Sequence, residues 1–234
     1  RSGGFPNTGT LQALNNATLD INDPLVHNDG LVFAEAGSTV DFASTLTQTG
    51  GVTRVDGNLI TTSMHMTGGI LQGIGNIDGP LTANYCLVSP GNSTGPLSID
   101  SMIHGAGASI RIEVNATGDA DQLVMTAGAL NPFGGALQLA YTGGPTDVQP
   151  TDVFTIITTV GGVAGGNFIN AADGQRVTTI DGSASFIVNY NGTTVTLTDF
   201  HYNPGGATNE VPVLTTTTDV FSIAENTASG TLIS

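Results

Sequence analysis

TGGVTRVDGN (residues 49–58) and TGGILQGIGN (residues 67–76) open on the same Thr-Gly-Gly plus a β-branched residue and close on the same Gly-Asn. Val52 and Ile70 follow the two Gly-Gly pairs, Asn58 and Asn76 end the two stretches, and one interval separates both pairs. Gly takes backbone angles that a Cβ forbids, so a recurring Gly pair marks a recurring corner. Two corners returning at one period, with strand-length runs between them, are the signature of stacked coils. No single coil buries its apolar face until a neighbour covers it.

The surrounding sequence has the same texture. Thr18–Ile21, Gly30–Phe33, Ser38–Phe42, Asn58–Ile60 and Pro80–Thr82 are short alternations with turn residues between them. Each is strand-length with period 2, and sustained i, i+3, i+4 patterning is absent. Of 234 residues, 33 are Gly and 34 are Thr, and only 10% are charged. Thr, Val and Ile pack well on pleated surfaces, while Gly, Asn and Asp supply turns. These features predict an all-β chain folded as a parallel β-helix (solenoid), with a β-sandwich as the competing architecture.

Net charge is −15 with no Lys, and the basic residues are Arg1, Arg54, Arg111 and Arg176. A nucleic-acid binder needs a basic stripe, so nucleic acid is excluded as a partner. No apolar run approaches the roughly 18 to 20 residues of a membrane span, so no membrane insertion is expected. The chain opens on Arg1 rather than Met, which points to a processed or truncated product, and its acidic Thr/Gly-rich composition points outside the cell. Cys86 is the only cysteine and sits in the apolar run Tyr85–Val88, which predicts a buried, inert thiol.

From Leu97 the strands lengthen, as in Ala108–Val114, where Ile110, Ile112 and Val114 face inward and Arg111 and Glu113 outward. The order of SPGNSTGPLSID (89–100), ASIRIEVNATGDADQLVMTAGAL (108–130), DVFTIITTVGGVAGGNF (152–168) and FIVNYNGTTVTLT (186–198) resembles the end of autotransporter-type passenger β-helices of bacterial surface proteins. The resemblance covers residues 89–200. It implies a right-handed β-helix serving as stalk, spacer or adhesive surface, and it carries no catalytic residues. Further on, Phe221–Thr227 looks like the opening of a cadherin-like adhesin module. In that family Glu225 would ligate calcium, but only where the module continues, so calcium is the one cofactor this reading admits.

The expected organisation is β-helix coils over 1–96, a C-terminal β-helix with capping strands over 97–200, a linker over 201–214, and an incomplete cadherin-like segment or donated strand over 215–234. A donated strand would pair an exposed edge of another copy and build fibres.

Chemistry-bearing groups are sparse. Asp119 and Asp121 share a strand face, but no repeated Asp/Gly motif supplies the six to eight oxygens calcium takes, so a solvated turn is expected. Asp56 and Asp78 are set further apart than the interval that relates Val52 to Ile70, and they should not stack as a carboxylate pair. His27, His65, His104 and His201 show no metal-ligand spacing. Thr194, Thr196 and Thr198 form a threonine row on one strand only, and Asn16, Asn92, Asn115 and Asn191 head glycosylation sequons. The expected function is non-enzymatic: a segment of a bacterial surface adhesin, or a subunit of an extracellular fibre or layer, whose partners are itself or cell-surface glycans. A polysaccharide-degrading β-helix enzyme and a carbohydrate-binding module are the alternatives.

Overall fold

The computed structural model describes residues 4–132 and 134–203; the tail holding the 204–214 part of the linker, the cadherin-like segment and Glu225 lies outside the described residues. The first five coils carry three strands each. They are β1 (Phe5–Asn7), β2 (Thr10–Ala13) and β3 (Thr18–Ile21); β4 (Leu25–Asn28), β5 (Leu31–Ala34) and β6 (Thr39–Phe42); β7 (Thr45–Gln48), β8 (Val52–Val55) and β9 (Asn58–Ile60). Next come β10 (Ser63–Met66), β11 (Ile70–Gly73) and β12 (Asn76–Asp78), then β13 (Leu81–Ala83), β14 (Leu87–Pro90) and β15 (Pro96–Ile99). Larger coils follow: β16 (Met102–His104), β17 (Ser109–Ala116), β18 (Asp119–Ala120) and β19 (Gln122–Met125), then β20 (Leu130–Asn131), β21 (Ala136–Tyr141) and β22 (Phe154–Thr159). The last elements are β23 (Arg176–Thr178), β24 (Ala184–Tyr190) and β25 (Thr194–Tyr202).

Strands three apart, or four apart where β18 intervenes, pair in parallel, which gives three sheets: β1-β4-β7-β10-β13-β16-β20, β2-β5-β8-β11-β14-β17 continued by β21, and β3-β6-β9-β12-β15-β19-β22. The molecule is an all-β parallel solenoid, and no helix occurs among the described residues. The two repeated stretches stack in register, with Val52 opposite Ile70 and Asn58 opposite Asn76. The period drifts, however. In the first sheet Thr45 stacks on Ser63 at the interval of the two repeats, and Met64 stacks on Leu81 at a slightly shorter one. Phe5 stacks on Val26 at a longer interval, and Met102 on Leu130 at the longest.

Alternation along each strand builds the core. β4 to β8, β11 and β14 read half-exposed, buried, half-exposed, buried, and the inward rows continue from coil to coil. One such row is Val26, Leu46, Met64, Leu81 and Met102; another is Val40, Leu59, Ile77 and Ile99. All of these are at most 2% exposed. Each large apolar side chain buried this way contributes about 1.5–3 kcal/mol, and only because a coil lies on either side. Close stacking dictates the corners. Gly51 has φ +61°, and a Cβ there would sit 2.0 Å from the Gly30 carbonyl oxygen. A Cβ on Gly75 would come within 2.1 Å of the Gly57 oxygen.

One inward row is polar. Asn7, Asn28 and Gln48 stack at the end of the first-sheet strands, with Asn7 donating to Asn28 at 2.8 Å and Asn28 to Gln48 at 3.4 Å. Thr53 donates to the Gln48 carbonyl at 2.5 Å, and Gln48 donates to the Ile70 oxygen at 3.1 Å. The ladder thus satisfies its buried groups without water, as an interior of low dielectric requires.

The C-terminal end is capped. β22 pairs antiparallel with β25, which pairs with β24 and then β23. Phe186 packs between Phe154 at 6.0 Å and Phe200 at 5.2 Å, and Tyr141 lies 5.0 Å from Phe200. The outer edge of β21 is closed by a loop rather than a strand. The Asn170 side chain bonds both the amide and the carbonyl of Leu137, and Ile180 donates to Leu139. Such covering blunts an edge that would otherwise recruit another strand. β25 runs through His201 and Tyr202, and Asn203 donates to Ser183, so the cap extends into the start of the segment that sequence assigns to a linker.

Candidate functional site

The outward row of the second sheet runs Phe33, Arg54, Gln72 and Ser89 in register, and the registered pair Arg111 and Gln138 continues it just past the Val88–Ile110 pair. It carries two of the four basic residues. Arg54 lies over the Phe33 ring, 5.3 Å from its centroid, and pairs with Asp56 at 2.6 Å. Arg111 has no acidic partner among the described residues. It donates weakly to Gln138 at 3.4 Å, and its buried Nε has no hydrogen-bond partner.

Arg111 borders a cleft of about 240 Å³ with Gln72, Ser89, Asn92, Glu113 and Asp121. Two carboxylates of one coil, Glu113 and Asp121, meet here, and a carboxylate pair is what a polysaccharide hydrolase uses. Their contacts tell against that chemistry. Asp121 is 2% exposed, and its two oxygens accept the amides of Gly95 at 3.1 Å and Glu113 at 2.9 Å. Asp119 accepts from Thr94 on one oxygen and from Asn115 on the other. Together they staple the turn 91–95 to the β17–β18 hairpin. Burial pushes the Asp121 carboxyl up to about 7, against the pull of the two amides and with Glu113 and Asp119 adding repulsion. The solvated turn expected at this Asp pair is therefore a buried staple at Asp121. Of the two carboxylates bordering the cleft, that of Glu113 is not tied to backbone, and it accepts from Thr142 at 3.3 Å.

Asp56 and Asp78 do not stack, since Asp78 pairs with Ile60. No group of three or more His, Cys, Asp or Glu converges as a metal site among the described residues. Cys86 is 6% exposed, and burial pushes its thiol up to about 12, so it is unreactive. His104 is fully buried against the edge of Phe168, its two ring nitrogens have no partner, and burial pulls it down to about 4. The threonine row is part of the cap: Thr196 is 9% exposed, and Thr198 accepts from Asn189.

Sequence reasoning missed a recess on the corner between the second and third sheets. The corners of the third and fourth coils have two residues each, 56–57 and 74–75, whereas those of the second and fifth are longer, at 35–38 and 91–95. Short corners flanked by long ones leave a hollow of about 460 Å³, bordered by Ser38, Asp56, Asn58, Ile74, Asn76 and Ser98. The signal was present in the two repeated stretches, which share the short corner that their neighbours lack. No protein-family model matches this chain, and no curated protein matches it.

Proposed function

We propose that this chain is a structural element outside the cell, either a segment of a bacterial surface adhesin or a subunit of an extracellular fibre or layer, and not an enzyme. The observation that carries the reading is the use to which its carboxylates are put. Asp121 and Asp119 are spent on backbone amides and neighbouring side chains, so these acidic residues join the 91–95 turn of one coil to the next coil instead of facing a substrate. The resemblance of residues 89–200 to passenger β-helices and the acidic, Lys-free composition support the setting. Calcium enters only through Glu225 in a longer, cadherin-like continuation.

Electron microscopy of the purified chain, with and without residues 204–234, tests the proposal. Fibres that grow end to end and vanish with the deletion make it a self-assembling subunit that donates its tail. Isolated short rods, unchanged by the deletion, make it an adhesin segment. Closed isometric oligomers in which the coil ends are buried would overturn both forms, because neither a stalk nor a fibre can continue from them.

A further inference from the structure

Five polar groups border the corner recess without using their hydrogen-bonding capacity inside the protein. The Ser38 hydroxyl and the Asp56 Oδ1 are buried and have no partner. The side chains of Asn58, Asn76 and Ser98 form no hydrogen bond with any described residue. Some polar groups on the same coils are spent inside the protein, as when Thr49 donates to Asp29 at 2.5 Å and Thr61 to the Ser44 carbonyl at 2.7 Å. Unspent donors and acceptors gathered in one hollow are what a binding site offers. Its volume of about 460 Å³ lies within the usual range for small-ligand sites.

The chemistry narrows the ligand. The two amides of Asn58 and Asn76 and the Ser98 hydroxyl offer both donors and acceptors, the buried Ser38 hydroxyl and Asp56 Oδ1 stand unpartnered beside them, and Ile74, 43% exposed, gives an apolar edge. Nothing basic borders the recess, and the one guanidinium nearby, that of Arg54, is neutralised by Asp56. In a chain of net charge −15 an anionic ligand is repelled. Asn58 and Asn76 stand in register on adjacent coils, so they repeat at the strand spacing of about 4.8 Å along the solenoid axis. We propose that this recess binds a neutral glycan chain lying along the axis across the third, fourth and fifth coils, with Asn58, Asn76 and Ser98 hydrogen-bonding its hydroxyls. The inference rests on the extracellular reading, in which such glycans are the surfaces met.

The intact chain is titrated with cellohexaose, xylohexaose, mannohexaose and hexagalacturonate, following the side-chain amide resonances of Asn58 and Asn76 by NMR and affinity by calorimetry. At least one neutral hexasaccharide saturates and moves those resonances, while hexagalacturonate does not. Asn76→Ala and, independently, the more conservative Ser98→Ala each weaken binding roughly three- to tenfold, the loss of one hydrogen bond, at unchanged melting temperature. Failure of all three neutral probes to move the Asn58 and Asn76 signals makes the recess a solvent-filled crease and overturns the inference. So does binding that both variants leave intact. Neither result touches the fibre or rod images, so the structural reading stands or falls separately.

Discussion

Asp121 and His104 are buried groups whose titrations pull stability in opposite directions. His104 is held neutral, at about 4 against about 6.5 in the unfolded chain. Its contribution is therefore complete above pH 6.5 and is lost as pH falls toward 4. Asp121 is raised to about 7 from 3.8, so its contribution is complete below pH 3.8 and is lost as pH rises through 7. Urea unfolding between about pH 4.5 and 7 separates them. His104→Leu removes the acid-side loss, so acidification from about pH 7 to 4.5 costs this variant about 2 kcal/mol less than wild type. Asp121→Asn removes the opposing slope, so acidification costs that variant more than wild type. Glycine positions behave as differently from one another. At Gly75 a Cβ meets the Gly57 oxygen at 2.1 Å, while at Gly9 the nearest atom is 4.0 Å away. Gly75→Ala costs about 2 kcal/mol or more, and Gly9→Ala stays within about 0.5 kcal/mol, in the same unfolding measurement.

At the scale of elements, the polar ladder is the least ordinary part of the core. Its residues sit in Asn7-Thr8-Gly9, Asn28-Asp29-Gly30 and Gln48-Thr49-Gly50, so each precedes a corner glycine by two positions. Asn7 and Asn28 also accept the amides of Gly9 and Gly30, each at 3.2 Å, which ties the ladder to the corner. Gln48→Leu strands the Thr53 hydroxyl and the Asn28 amide and costs about 3 kcal/mol. Thr53→Val alone costs about 1 kcal/mol, and the double variant is more stable than the sum by about 1 kcal/mol, as a double-mutant cycle reads. Strand elements were largely legible from alternation: Thr18–Ile21 and Asn58–Ile60 coincide with β3 and β9. The return of the glycine corners was legible as well, because glycine there answers to contact between adjacent coils. The widening of that period between Leu81 and Met102, and again between Met102 and Leu130, was not, since corner loops vary in length without changing the inward alternation.

For the whole molecule, the sequence pattern specified a stack but not its end. The cap depends on Asn170 reaching back to Leu137 and on aromatic contacts among Tyr141, Phe154, Phe186 and Phe200, pairings that no local period announces. The burial of Asp121 was hidden for the same reason: β17 and β18 fold a hairpin back under the 91–95 turn, and Gly-Asp-Ala-Asp alone reads as a solvated turn. The recess likewise arises from corner lengths compared across coils, not from any one motif. In the Asp121 staple and the ladder of Asn7, Asn28 and Gln48, charge and polarity serve cohesion. The direct test is turnover. The intact chain is incubated with neutral and uronic polysaccharides, and new reducing ends and unsaturated products are counted. The account predicts none above a protein-free blank. Product formation that Glu113→Gln abolishes, at unchanged melting temperature, would contradict it and make the cleft beside Arg111 an active site.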